Sequence, residues 1–305
     1  LKLSATTNYQ ITAALNAEDG FTSLFVGRGD SLVYDKLSRG IRIDGRDLSA
    51  GLQDSPSNDV FPNVTSSEIV TQVALRHALI PMATQTMNPV GRYYHDETCQ
   101  ISYSQFNRIT TEWDLLTFLA RCENFDLFVR GRQLFFQPAT PISPPMFSIR
   151  PENLITLRLK RYLQMSGDIA VTVKSWNSKA NRAVSQTAIS RPVPAKVEAD
   201  FVFTAVPLHY NIIQPNLSEE KASRVAQIRV GELSRHEQSI ECTMPGELDL
   251  TPRDSFTLEG TESIFDRQYQ IDKIDRTISP STGFIQRLFA HSISTREVVL
   301  SGEVS

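Results

Sequence analysis

The most constraining stretch of the chain is Thr111 to Pro138, TEWDLLTFLARCENFDLFVRGRQLFFQP, because the hydrophobic period changes within it. Trp113, Leu116, Leu119 and Ala120 recur at three- and four-residue spacing, which gives one apolar face of a helix. After Asn124 the period becomes two, with Phe125, Leu127 and Val129 alternating with Asp126, Phe128 and Arg130. Arg130-Gly131-Arg132 reads as a tight turn, since glycine takes positive φ without a steric penalty. Leu134, Phe135 and Phe136 return as a second strand, and Pro138 ends it because proline has no N–H to give to a ladder. The unit is a helix packed on a β-hairpin. Trp113 is expected to be its buried anchor, facing Phe125 or Phe135.

Strand-like segments flank this unit on both sides. Tyr9 to Leu15, Thr22 to Gly29, Ser31 to Tyr34 and Gly40 to Gly45 read as short strands. The alternation in the last of these suggests one buried face. Residues 56 to 62 are rich in turn formers. Thr65-Ser66-Ser67-Glu68 then reads as a capping box that opens a helix carrying Ile69, Val73, Ala74 and His77 on one face. A strand is expected near Gln100 to Tyr103. Thr140 to Pro145 holds three prolines and is the best boundary in the chain. Beyond it, strands are expected at Leu154–Leu163, Ile169–Trp176, Phe201–Val206, Ser239–Thr243 and Tyr269–Ile274. A helix with Ala222, Val225, Ala226, Val230 and Leu233 on one face is expected over Glu219–Leu233.

Three phrases in this order resemble the phage late control gene D proteins. These are baseplate hub proteins of tailed phages, related to the trunk of type VI secretion VgrG spikes. The strongest phrase is Glu112, Trp113, Asp114, Leu116, Leu119, Ala120, Glu123, Phe125, Asp126, Leu127, Val129, Gly131, Leu134, Phe136 and Pro138. The segment from Asn63 to Pro81, NVTSSEIVTQVALRHALIP, is the second. The third runs from Pro245-Gly246 through Leu250, Pro252 and Asp254 to Tyr269-Gln270-Ile271-Asp272-Lys273-Ile274. The segment from Leu24 to Ser55, with Gly45-Arg46-Asp47-Leu48-Ser49, is also similar to the family, where such a strand ends a first tube-like barrel.

The resemblance implies an α+β, β-rich fold, with two tube-protein-like β-barrel domains flanking a smaller α/β domain. The expected divisions are 1–56 for the first barrel, lacking some N-terminal residues, 57–145 for the α/β domain, and 146–305 for the second barrel with one helix. The chain has 305 residues, enough for this many domains and a well-buried core.

Composition narrows the function classes. A net charge of −3 gives no basic footprint for a dedicated nucleic-acid binder and no polybasic membrane signal. No run of eighteen apolar residues is present, so no membrane-spanning helix is expected. LKLSATTNYQ is not a signal peptide, and without a start methionine it is expected to begin inside a longer product. Cys99, Cys122 and Cys242 are far apart and odd in number, which argues against a disulfide framework and fits synthesis in a reducing cytoplasm.

No residue is assigned to catalysis, to a cofactor or to a metal, and the chain is not expected to be an enzyme. His95-Asp96-Glu97 with Cys99 matches neither CxxC nor HExxH and reads as a polar loop. His77 and Cys122 fall in segments that the middle domain brings together, and a buried structural cysteine is the reading adopted. No GxSxG, Walker A or GxGxxG motif is present. Arg28-Gly29-Asp30 spells an adhesion tripeptide but reads as a glycine bulge with exposed charges. Asn63-Val64-Thr65 matches a glycosylation acceptor, and its threonine is better used as the helix cap.

The family implies a structural role: a homotrimeric hub at the tail tip of a virion, made in the cytoplasm of a host bacterium. It would join a hexameric tail tube, or a distal tail protein, to a trimeric central spike. Other baseplate proteins and a tape measure protein are further implied partners, with DNA passing only in transit through the channel. The chain closes at Ser305 soon after the second barrel, so the spike is expected to be a separate polypeptide. The alternatives are the trunk of a type VI secretion, tailocin or gene-transfer-agent spike. A further alternative is a tail-associated hydrolase or carbohydrate-binding protein, of which the hydrolase would need a catalytic acid pair or metal site.

Overall fold

The computed structural model describes residues 10–17, 20–56, 59–95, 98–102, 110–138, 144–145, 147–177, 180–191, 207–214, 217–293 and 296–301. The expected strand at Phe201–Val206, most of the Thr140–Pro145 boundary, and Asp96 and Glu97 lie outside these residues. The chain divides into two compact units, Leu1–Thr140 and Pro141–Ser305. Both mix strands with fewer helices, so the fold is a β-rich α+β fold.

The first unit opens with an antiparallel sheet of β1 (Gln10–Ala17), β2 (Gly20–Asp35) and β3 (Gly40–Asp47), in that order. The expected strand break at Gly29 is instead a bulge inside one long β2. A short helix, α1 (Ala50–Asp54), leads to β4 (Val60–Pro62), α2 (Ser66–Arg76), β5 (Ile80–Ala83), β6 (Arg92–His95) and β7 (Thr98–Ser102). Helix α3 (Glu112–Glu123) then precedes the hairpin of β8 (Phe125–Arg130) and β9 (Gln133–Pro138). Strands β4, β7 and β6 form one small sheet. Strand β5 joins β9 in parallel to complete another.

The period change at Asn124 has a backbone cause. Asn124 takes the left-handed conformation at φ 58° and stops α3, so the next residue starts a strand. Gly131 turns the hairpin at φ +58°. Both longer helices begin in a capping box, Thr65 with Glu68 and Thr111 with Asp114, which satisfies N–H groups that a helix start leaves unpaired. Helices α2 and α3 bury Ile69, Val70, Val73, Leu115, Leu116 and Leu119 against Leu134 and Phe136 of β9. Leu52 of α1 lies in this same core. Trp113 is only half-buried at the core margin, whereas Leu115, absent from the expected face, is fully buried.

The second unit runs through β10 (Phe147–Ile149), β11 (Thr156–Arg161), β12 (Ile169–Asn177), β13 (Arg182–Arg191) and β14 (Leu208–Ile213). Helix α4 (Glu219–Arg235) follows, then β15 (Gln238–Pro245), β16 (Ser255–Leu258), β17 (Gln268–Ser279), β18 (Gly283–Ser292) and β19 (Glu297–Ser301). A six-stranded sheet, ordered β10-β16-β17-β18-β15-β11, forms a half-barrel around Ile240, Cys242, Phe256, Tyr269 and Leu288. A four-stranded sheet, β14-β12-β13-β19, packs Val171, Val173 and Ala188 beneath Ala222, Ala226 and Val230 of α4. Arg296 links the two sheets. Its side chain is 4% exposed, and it donates to the Gly167 carbonyl at 2.8 Å and to Glu237 Oε2 at 2.8 Å.

Candidate assembly surface

The largest departure from the sequence expectation is β3. Its alternation predicts one buried face, yet every residue from 30 to 45 is exposed. The pattern is amphipathic all the same. Leu32 and Tyr34 on β2 stand opposite Ile43 and Ile41 on β3, so these four share one face. Ser31 opposite Asp44 and Val33 opposite Arg42 make the other. The four apolar residues are 43–57% exposed, and Leu37 at the tip is 97% exposed. The outer half of the β2–β3 hairpin is therefore an arm with one apolar face that nothing covers among the described residues.

The arm is well built as an isolated element. At its tip the Asp35 carboxylate accepts from the backbone N–H of Leu37 at 2.9 Å and from Ser38 Oγ at 2.7 Å. These hydrogen bonds, that of Ser38 Oγ foremost, hold the Asp35 carboxyl below its ordinary value. On the polar face, Arg42 Nε donates to Asp44 at 3.0 Å and Ser31 Oγ to the same carboxylate at 3.2 Å.

At the base, a charged latch fastens the arm to α1. Arg46 donates from Nε to Asp30 at 2.6 Å, from Nη2 to Asp54 at 3.0 Å and from Nη1 to Gln53 at 3.2 Å. Arg28 reaches Asp54 at 2.5 Å. The hydrogen bond from Arg46 is the main cause that depresses both the Asp30 and the Asp54 carboxyl. The backbone is closely packed here. A Cβ on Gly27 would sit 2.2 Å from the Arg46 carbonyl oxygen, and one on Gly45 2.4 Å from that of Arg28. Arg28-Gly29-Asp30 thus lies on a bulged strand with both charges engaged, as the sequence reading expected for the glycine.

No protein-family model matches the chain, and no curated protein matches it in sequence. Solved structures do match in fold. A tail protein of Neisseria meningitidis MC58 aligns at TM-score 0.64 and 15% identity, over 90% of this chain and 81% of that one. The 43 kDa tail protein of prophage MuSo2 from Shewanella oneidensis aligns at TM-score 0.59 and 17% identity, over 88% and 76%. An E. coli component of the type VI secretion system, described as structurally similar to tail proteins of bacteriophage T4, aligns at TM-score 0.55 and 11% identity, over 96% and 67%. The chain has the fold of phage tail proteins.

Within this tail-protein fold, the other singled-out residues have structural surroundings. His77 Nε2 pairs with Glu112, whose carboxylate also accepts from Arg76 Nη1 at 3.1 Å. Cys122 is half-buried rather than buried, and it is Glu112 that meets His77. Asn63 takes positive φ and accepts the Cys99 backbone N–H at 2.7 Å on its side-chain oxygen, while Thr65 caps α2. Among the described residues no group of three His, Cys, Asp or Glu side chains is arranged to hold a metal, and no helix is long and apolar enough to cross a membrane. Sequence reasoning placed Glu112 in the family phrase but missed its burial and its pairing with Arg76 and His77, which have no local signature, and it missed the exposure of the arm.

Proposed function

We propose that the protein is a structural component of a phage tail tip: a baseplate hub of the late control gene D type, forming a homotrimer between the tail tube and the central spike. The observation that carries this reading is the fold likeness to a tail protein over 90% of the chain, at TM-score 0.64. The three sequence phrases that resemble the hub family agree with it. In this reading the chain carries two tube-type barrels, within 1–56 and 146–305, about the α/β domain at 57–145. Three chains then present six barrels to a hexameric tube, so duplication within the chain resolves the symmetry mismatch. The work is mechanical: to cap the tube, seat the spike and let DNA pass. A channel that passes DNA must not retain it, and each Lys or Arg contact to phosphate strengthens retention. A net charge of −3 suits such a lumen.

A second reading, the trunk of a type VI secretion spike, draws on the alignment to the E. coli component over 96% of the chain. Gold-labelled antibody on purified particles tests the first. Label at the tail tip is the expected result, and label along the tube would contradict it.

A further inference from the structure

We propose that His236 and His291 hold a divalent transition-metal ion at the seam between α4 and the six-stranded sheet of the second unit. The site stands whether or not the chain is a hub.

His291 is its centre. It lies on β18, on the face opposite Leu288 and Ala290, which point into the half-barrel core. The residue is 8% exposed, and its Nδ1 lies 2.6 Å from Asp272 Oδ1. A carboxylate accepts, so in the neutral ring Nδ1 carries the proton and Nε2 keeps its lone pair. That lone pair is buried and has no hydrogen-bond partner. A buried acceptor without a donor costs free energy, and a metal ion is an electron-pair acceptor that relieves it. A carboxylate behind an imidazole is also what metal-ligating histidines characteristically carry. It fixes the tautomer, orients the ring and raises the basicity of the free nitrogen.

The second ligand is His236. Its ring centre is 6.0 Å from that of His291, with 49° between the planes. An ion about 2.1 Å from one nitrogen of each ring sits about 3.2 Å from each ring centre, so centres up to about 6.4 Å apart can share it. His236 is exposed, which gives the ion a way in and leaves room for water in its shell. It is also the C-cap of α4, at the negative end of the helix dipole. With the Asp272 carboxylate, that end favours a cation. Glu237, the next residue, already engages Arg161 and Arg296.

The donor set selects the ion. Imidazoles suit zinc, nickel and copper, whereas calcium and magnesium take oxygen ligands. Asp272 lies behind His291 and is not a third ligand, so the ion has two protein ligands and water completes its shell. Bound there, it fastens the end of α4, which packs on the four-stranded sheet, to β18 of the six-stranded sheet.

Titration of zinc into the untagged full chain by isothermal calorimetry is the test, with far-UV circular dichroism to verify that each variant is folded. The wild type is expected to take up one zinc ion at this site. His236→Ala changes an exposed residue and is expected to abolish that uptake. Asp272→Asn is expected to weaken it about 10–100-fold by acting through His291. His209→Ala alters an exposed histidine away from the pair and is expected to bind like the wild type. A wild type that takes up no zinc overturns the proposal, and so does uptake that His236→Ala leaves unchanged. Equal loss in His209→Ala would mean scattered surface binding, and undiminished affinity in Asp272→Asn would mean that the His291–Asp272 pair is only structural; either result also overturns it.

Discussion

Glu112 is the residue on which the middle of the first unit turns. It is 3% exposed, its carboxylate is shared by Arg76 and His77, and its N–H donates to the Ser55 carbonyl at 3.0 Å. The Glu112 side chain thus ties the start of α3 to the end of α2, and its backbone N–H ties it to the segment after α1. It also explains why Trp113 is not the anchor. Successive residues of a helix are about 100° apart, so a face that includes Glu112, Leu115, Leu116 and Leu119 carries Trp113 to its flank. Leu116→Ala is expected to cost about 2–5 kcal/mol through the cavity it leaves. Trp113→Ala should cost less, about 1–2 kcal/mol, because a half-exposed ring forfeits only part of its transfer free energy. Equal losses in chemical denaturation would show that the face is assigned wrongly. A second residue-scale test is Ala78, which ends α2 at φ 54° with the Leu79 N–H returned to the Ala74 carbonyl at 3.0 Å. The left-handed conformation costs an L residue roughly 1–2 kcal/mol, and glycine gives back about 0.4–1 kcal/mol through its looser unfolded chain. Ala78→Gly should therefore raise stability by up to about 1.6 kcal/mol, and a fall in the melting temperature would contradict this account of the cap.

At the scale of elements, the helices and hairpins were legible because their signals are local. The Thr65–Glu68 box, the switch of period at Asn124 and the turn at Gly131 each involve residues within a few positions of one another, and each stands where the sequence put it. The arm was half legible. Its alternation is real, but alternation says only that one face is apolar, not which molecule covers it. The latch was not legible, since Arg28, Asp30, Arg46 and Asp54 come together only once the bulge and the turn into α1 are formed. Its pH dependence follows from the depressed Asp30 and Asp54 carboxyls. A carboxyl lowered on folding contributes stability that is complete above its unfolded value and is lost as pH falls through the folded one. The latch should stay closed down to the ordinary aspartate value of 3.8 and open only below it. Carboxyl-carbon NMR titration is expected to find both groups ionising below 3.8, and Arg46→Met should return them toward that value. Titration at or above 3.8 in the parent would mean that the latch does not form in solution.

At the scale of the whole molecule, the β-rich α+β fold could be anticipated from strand-rich ends and a helix-rich middle, and the likeness to tail proteins agrees with that plan. What lay beyond the sequence is how the sheets are completed. The strands between residues 10 and 47 form a three-stranded sheet whose outer two pair with no further strand among the described residues, and the half-barrel of the second unit gathers strands from Phe147 to Ser292. The apolar face of the β2–β3 arm has no cover among the described residues. The hub account therefore stands or falls on stoichiometry. The most direct measurement is the number of copies of this chain in intact particles, by quantitative mass spectrometry against the tube and spike proteins or by cryo-EM reconstruction of the tail tip. The account requires three copies at the tail tip. Six would make the chain a tube or wedge component, and a single copy would contradict a ring altogether.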